Sequence, residues 1–224
     1  GAEGMVCDNM FSNHPLCSPF RAILLTGRYG WRNGVIDNEY EPFRDIPTFP
    51  GALKAGGYHT GHIGVWHLGV GPYPEEDRYG LDYLAAVKGT GGNYFDQQYY
   101  ENDEGPTLHT GWSPTVETDH AIRFMAGHKA KNSGDPFALF VSWRPPHWPY
   151  PQYPDQYALY DPADVDLPGN VPPQMADFAR REIADYYGCC TGLDAEMGRL
   201  LAALEDLDLA DDTIVCYSSD HGDH

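Results

Sequence analysis

The 224-residue chain carries 33 acidic against 14 basic residues, a net charge of −19, with 42% hydrophobic residues, 16 Tyr and 9 Phe. That composition belongs to a folding chain, large enough for one sizeable domain or two small ones. Its charge opposes general binding to nucleic acid or to an anionic membrane surface, since both need a positive face.

No apolar run approaches the roughly 20 residues of a membrane span. No signal peptide precedes Gly1, and a chain that opens without Met is expected to be processed or truncated. Five cysteines, at 7, 17, 189, 190 and 216, are odd in number and oppose a disulfide scaffold. Cys7, Cys190 and Cys216 stand in apolar runs and are expected in the core. The compartment stays open: periplasmic or secreted if a bacterial parent carries a signal peptide, with the cytoplasm not excluded.

In chain order, residues 5–11 (MVCDNMF) read as a strand or extended entry into the core. Pro19 suits an early helical position and AILLTG continues a short helix closed by Gly27, which puts Cys17 near a helix N-terminus, where oriented amides favour negative charge. TFPGALKA at 48–55 predicts a short helix stopped by Gly56-Gly57. YHTGHIGV at 58–65 predicts a strand, with WHLG on the loop that leaves it. Residues 69–115, rich in Gly, Pro, Tyr and Asp, read as one irregular excursion with a turn at Gly91-Gly92. A helix is expected over 116–130 with Ala121, Ile122 and Met125 inward, then a buried strand, FALFVSW, at 137–143.

The prolines between 145 and 173 exclude regular structure. The clearest helix spans 177–205, with Ile183, Tyr187, Cys190, Leu193 or Asp194, Met197 and Leu200 or Leu201 on its apolar face. TIVCYS at 213–218 predicts another short buried strand, ending directly in Ser219-Asp220-His221-Gly222-Asp223. Helices alternating with apolar strands favour an α/β fold, a mixed sheet covered on both faces.

Cys17-Ser18-Pro19-Phe20-Arg21, followed by Leu25-Thr26-Gly27-Arg28, resembles the sulfatase signature. ALKAGGYHTGHIGVWHLG at 52–69, SWRPPHWPY at 142–150 and the run from Tyr186 to Asp223 continue the likeness in the family's order. The resemblance implies an alkaline-phosphatase-like α/β fold and makes 1–224 a partial sulfatase catalytic domain, truncated at both ends. The family's N-terminal metal-ligand strand and its C-terminal region have no counterpart here.

The same resemblance implies conversion of Cys17 to formylglycine by a formylglycine-generating or equivalent enzyme. Its hydrated aldehyde then attacks sulfur through one hydroxyl and expels sulfate through the other, one difficult displacement becoming two easier steps. Arg21, four residues on and on the same helical face, matches the guanidinium that orients the modified residue. His67 matches the proton acceptor beside it and His147 a sulfate-pocket histidine that binds an oxygen or assists the leaving group. Arg144, His147 and Trp148 are substrate-binding candidates, although Trp148 also suits plain packing. Asp220 and His221 match metal-site positions, with calcium the leading ion for an oxygen-rich site. A zinc site from His62, His67 and His221 is the chemical rival, while His59 and His62, three apart on a strand, are expected on opposite faces in structural roles. Asp223 is expected to orient its loop.

Val65 stands where the family's Gly-Lys-Trp-His pattern has a lysine that contacts sulfate, and the valine removes a charge from a developing anionic transition state. Either a neighbouring cation such as Arg144 compensates, or the chain is a weakened or inactive member of the family. The reading is a sulfuric ester hydrolase acting on a sulfated small molecule, with a sulfated carbohydrate as first choice, impaired or altered in activity. The alternatives are a phosphonate monoester or phosphodiester hydrolase of the same superfamily, and a non-catalytic metal- or anion-binding relative.

Overall fold

The computed structural model describes residues 4–89, 92–131 and 134–222. The turn expected at Gly91-Gly92 thus lies partly outside the described residues, and Asp223 wholly outside. Strands β1 (His59–Gly64), β2 (Tyr83–Val87), β3 (Gln98–Glu101), β4 (Glu104–Leu108) and β5 (Phe137–Ser142) form one sheet in the order β4-β3-β2-β1-β5. The three strands β2, β1 and β5 are parallel, and β3 and β4 extend the sheet as an antiparallel hairpin. The predicted mixed sheet flanked by helices is the one observed.

Helices α1 (Cys17–Thr26), α2 (Gly30–Asn33) and α3 (Phe49–Ala55) lie towards one face, and α4 (Ser113–Ala130) and α5 (Ala176–Asp206) towards the other. On the first face Ala22 and Leu25 of α1 pack with Trp66, Leu68, Leu84 and Ala86. On the second, Ile63 and Ala85 meet Ala121, with Leu139, Val141 and Leu200 alongside. Alternation along β1 and β2 thus feeds both layers, and each fully buried Leu or Ile contributes about 1.5–3 kcal/mol. Among the described residues no helix is long and apolar enough to cross a membrane.

The helix boundaries have local causes. Gly27 ends α1 at φ +65°, its N–H bonding to the Ile23 carbonyl. The Thr48 side chain caps α3 by accepting from the Gly51 N–H. The fourth helix starts at Ser113, ahead of the expected 116, because Pro114 fits a first turn where no N–H is needed.

Four expectations are corrected. The excursion at 69–115 contains β2, β3 and β4. The second strand, YLAAV, is covered on both faces and so shows no alternation. The hairpin turns at Asn102, with φ +55°, and the Asn102 side chain accepts from the Leu84 N–H at 2.9 Å. Residues 5–11 form no strand, and Met5, Val6, Met10 and Phe11 are exposed. Residues 213–218 likewise form no ladder, leaving Ile214, Val215 and Tyr217 exposed, while β5 is only half-buried along its whole length.

Cys7 and Cys216 are exposed for the same reason, and Cys190 is half-buried. The buried thiol is that of Cys189, which donates to the Tyr150 carbonyl at 3.0 Å. The last helix buries Leu193 as expected, together with Ala184, Gly188, Cys189, Gly192, Glu196, Ala203 and Leu204, while Ile183, Tyr187, Cys190 and Met197 are not fully buried. Tyr153 and Trp112 press so closely that a Cβ on Gly188 or Gly192 would meet them at 2.5 and 2.6 Å. Small residues are required on that face, and Met197, Leu200 and Leu201 turn towards an open groove.

Gly64 ends β1 at φ +99°, where a Cβ would lie 2.2 Å from the Ser142 carbonyl oxygen. Gly64→Ala should therefore cost about 3 kcal/mol or more, because both the backbone conformation and the β1–β5 contact are disturbed. Urea unfolding checks this, and a loss below about 1 kcal/mol would contradict it.

His62, edge-on to Trp66 at 5.0 Å between ring centroids, has its Nδ1 shut from solvent without a partner among the described residues. Burial first, and Arg21 second, push its pKa down to about 3 from the ordinary 6.5. The unfolded chain then binds a proton that the folded chain refuses. Its contribution is intact above the ordinary value and is lost as pH falls through 6.5 towards 3, at up to about 1.4 kcal/mol per pH unit. Unfolding measured across this window should show that slope in the wild type and a flatter one in His62→Gln.

Candidate active site

The parallel strands β1 and β5 end side by side, with Gly64 opposite Ser142 and the Val65 N–H donating to the Ser142 carbonyl at 2.9 Å. Such strand ends collect chemistry in open α/β sheets. The N-terminus of α1 is held over them: the Ser18 hydroxyl donates to the His67 carbonyl at 2.6 Å, and the Ser18 N–H donates to the Asn38 side chain at 2.9 Å. Cys17 is the first residue of this helix.

Arg21 reaches back across the junction. One guanidinium nitrogen donates to the Val65 carbonyl at 2.6 Å and to Ser142 Oγ at 2.8 Å, and the other meets Asp220 Oδ2 at 3.3 Å. His221 Nε2 lies 3.5 Å from Cys17 Sγ and 3.7 Å from Asp220 Oδ2. Donor atoms of Cys17, Asp220 and His221 all fall within 4.8 Å of one another.

Burial, and then Asp220, push the Cys17 thiol up, against the opposing pull of Arg21, its own backbone N–H and Arg144. A thiol held neutral is a weak nucleophile, so this environment does not suit cysteine acting through its own thiolate. His67, at φ +56°, is pushed down by burial and then by Arg21, Arg144 and His147, with Asp220 opposing. Its imidazole is therefore neutral near pH 7 and free to accept a proton. Arg144 stacks its guanidinium 5.7 Å above the Tyr94 ring, and Tyr94 also donates to the His147 carbonyl.

Cys17, Arg21, Val65, His67, Arg144, His147, Asp220 and His221 all line one groove of about 2330 Å³. The sequence-predicted set is thus brought together, with one departure: Trp148 is 61% exposed and does not line the groove. The rival trio of His62, His67 and His221 does not converge. His62 packs on Trp66 and His59 stacks on Phe124 and His128, on opposite faces of β1.

Three contributors escaped sequence reasoning. Ser142 could have been found from the expected pairing of two strands that end together, but Asn38 carries no signal. Glu117 lies behind Gly64, fully buried, with Tyr99 donating to Oε1 at 3.0 Å and Oε2 unpartnered among the described residues. Burial pushes its pKa up to about 8, despite the Tyr99 hydrogen bond and Arg144, so this acid is neutral near pH 7.

The sulfatase family profile matches residues 2–224. An ulvan-active sulfatase of Formosa agariphila is 34% identical over 99% of this chain and 44% of its own length. An N-acetylglucosamine-6-O-sulfatase of Bacteroides thetaiotaomicron is 29% identical over 75% of the chain and 29% of its own. A crystal structure of a Bacteroides fragilis protein assigned as the sulfatase YidJ superposes with a TM-score of 0.82 at 31% identity, covering 96% of this chain and 53% of that one. The chain spans about half the length, or less, of the proteins it matches. With the signature cysteine at the head of α1 and its partners gathered around it, the chain belongs to the sulfatase family.

Proposed function

We propose that the parent protein hydrolyses sulfate esters of a carbohydrate and that this chain supplies most of its reacting side chains. The observation that carries the reading is the convergence of Cys17, Arg21, His67, Arg144 and His147 on one groove at the ends of β1 and β5. Arg21 and Arg144 give a locally cationic pocket in a chain of net charge −19, as an anionic ester requires. The relatives named for ulvan and N-acetylglucosamine support a sugar as the alcohol.

A formylglycine at position 17, installed by a modifying enzyme, would supply an oxygen nucleophile and a second hydroxyl through which sulfate leaves. The residues around it have separable tasks. Arg21, pinned by three partners, holds the head of α1 and offers fixed positive charge. Neutral His67 accepts a proton. Arg144 and His147 bind the ester's oxygens, Arg144 taking the electrostatic part that a lysine at position 65 would share. Trp148, exposed outside the groove beside His147, offers a ring only to a sugar that extends beyond the groove.

Asp220 and His221 would hold calcium. The Asp220 carboxylate fits a part of its oxygen shell, the His221 imidazole is a softer donor than that ion prefers, and further oxygens must join to reach the six to eight it takes. The groove supplies the place. It exceeds the roughly 300–1,000 Å³ of a small-molecule site, and it runs along the free edge of β5 and the extended residues 213–218. A strand from sequence outside these 224 residues fits between them, and it would bring the missing oxygens to the strand ends.

In full-length protein made with a formylglycine-generating enzyme, the peptide holding residue 17 should be lighter by about 18 Da. Turnover of a sulfated sugar should exceed that of a phosphonate monoester or a phosphodiester, and Arg144→Ala should lower kcat/KM about 100-fold. An unmodified Cys17 in active protein would sink the mechanism. Preference for the phosphorus esters would move the enzyme to its alternative class, and no turnover after modification would mark a binding relative.

Hydrogen exchange tests the added strand. The β5 amides that point away from β1, and the amides at 213–218, should be protected in the full-length protein and exchange rapidly in the 224-residue chain. Equal, rapid exchange in both would remove the strand from the groove.

A further inference from the structure

A second group of metal-binding side chains lies away from the groove, on the α4 face of the sheet. Glu101 ends β3, His109 follows β4 and His120 lies on α4, and a donor atom of each falls within 4.8 Å of the other two. Glu101 Oε1 is 3.9 Å from His109 Nε2, and Glu101 Oε2 is 3.9 Å from His120 Nδ1. The two imidazole rings are 4.9 Å apart, and Tyr99 packs against both. Tyr83, which lies in β2 opposite Gly61, is three strand residues away from the Gly64 end that carries the active site.

The hydrogen bonding here is arranged as it is around ligating histidines. Tyr83 donates its phenolic proton to Glu101 Oε2 at 2.8 Å, so it can only accept from His120 Nδ1, which lies 2.9 Å away. That assigns the proton to Nδ1 and leaves Nε2 with a bare lone pair. His120 is 1% exposed, and neither its Nε2 nor that of His109 has a partner among the described residues. Orphaned interior nitrogens are costly unless something binds them, and an oriented second shell is what a ligating imidazole uses.

Burial first, with Arg123 second, pushes the pKa of His120 down to about 4, so the ring is neutral, the state that ligates. A cavity of about 290 Å³ bounded by His109, Thr110, Asp119 and Arg123 opens beside the group and gives an ion a way in.

We infer that Glu101, His109 and His120 bind a divalent transition-metal ion of the zinc class, which ties the β3–β4 hairpin to α4. Two imidazoles and one carboxylate favour zinc over calcium, which prefers oxygen throughout. Bonds of about 2.0–2.2 Å in a tetrahedral site need donor atoms about 3.4 Å apart. Rotation of Glu101 and His109, both partly exposed, would close the 3.9 Å between their own donor atoms to that spacing, and it must also turn both side chains from the Nδ1 to the Nε2 side of His120. Because the folded chain alone presents the trio, the ion should raise the melting temperature by several degrees.

The test uses the full-length protein, stripped with chelator, held in excess calcium, and titrated with Zn2+ and with Co2+ as the spectroscopic probe. One equivalent should bind at this site, with the intense visible absorption of tetrahedral cobalt and a rise in melting temperature. Binding should survive Asp220→Asn combined with His221→Ala, weaken at least 100-fold in His109→Ala, and return in His109→Cys, which restores a zinc donor. His109 is at the rim, so its replacement leaves the buried packing of His120 in place. Binding that ignores His109→Ala, disappears with the Asp220 and His221 changes, or yields to calcium would overturn the assignment, as would no Zn2+ uptake by wild-type protein.

Discussion

The buried junction made by Arg21 is the constraint on which the active-site geometry depends. Its guanidinium joins α1, the residue after β1, the last residue of β5 and Asp220. Desolvating such a cation is expensive, and the cost is offset only when its donors find well-placed acceptors. Two of the three partners are neutral oxygens, from Val65 and Ser142. The junction is therefore not a simple ion pair, and its positive charge is only partly cancelled by Asp220. That residual charge lies under Cys17, where an anionic ester would have to approach.

The junction also explains how far the site was legible. Cys17 and Arg21 are four apart on a helix whose ends are marked by Pro19 and Gly27, so their common face follows from the sequence. The acceptors for Arg21 do not. A backbone carbonyl at Val65 carries no residue signal, and Ser142 becomes relevant only through the parallel register that sets Gly64 beside it. Glu117 was hidden for a similar reason: it is one acidic residue on a helix of mixed polarity, and only the tertiary fold shows that its carboxyl is shut behind Gly64.

The fold divides along the same line between local and long-range causes. Helices α1, α3 and α4 and strand β1 announce themselves through caps, prolines and apolar runs. The other three-strand segment, β2 to β4, was obscured because a strand covered on both faces loses its alternation and because the hairpin uses Gly105 and Pro106 within a strand. In α5 the apolar stripe was visible and Leu193 is buried within it, but the bulkier Tyr187 and Leu201 are exposed. Tyr153 and Trp112 demand glycine beneath them, which turns the larger side chains to the groove. Residues 5–11 and 213–218 have strand-like composition, yet composition is not a ladder, and no described strand pairs with them.

Val65 acquires a physical meaning beside Glu117. The valine packs with Val87, Tyr99 and Val116, and the Tyr99 hydroxyl binds the Glu117 carboxyl. An ammonium at position 65 would enter the same layer, where it would favour the ionised form of Glu117, and the two charges would cancel. With valine there, burial holds Glu117 neutral near pH 7, and the layer is again uncharged. With valine at position 65 this layer therefore needs no counter-ion for Glu117. Arg144 also faces the groove, while Arg21 is committed to its three acceptors. The Arg144 guanidinium is anchored over Tyr94, whose hydroxyl also holds the His147 backbone, so the placement of both residues depends on one aromatic ring.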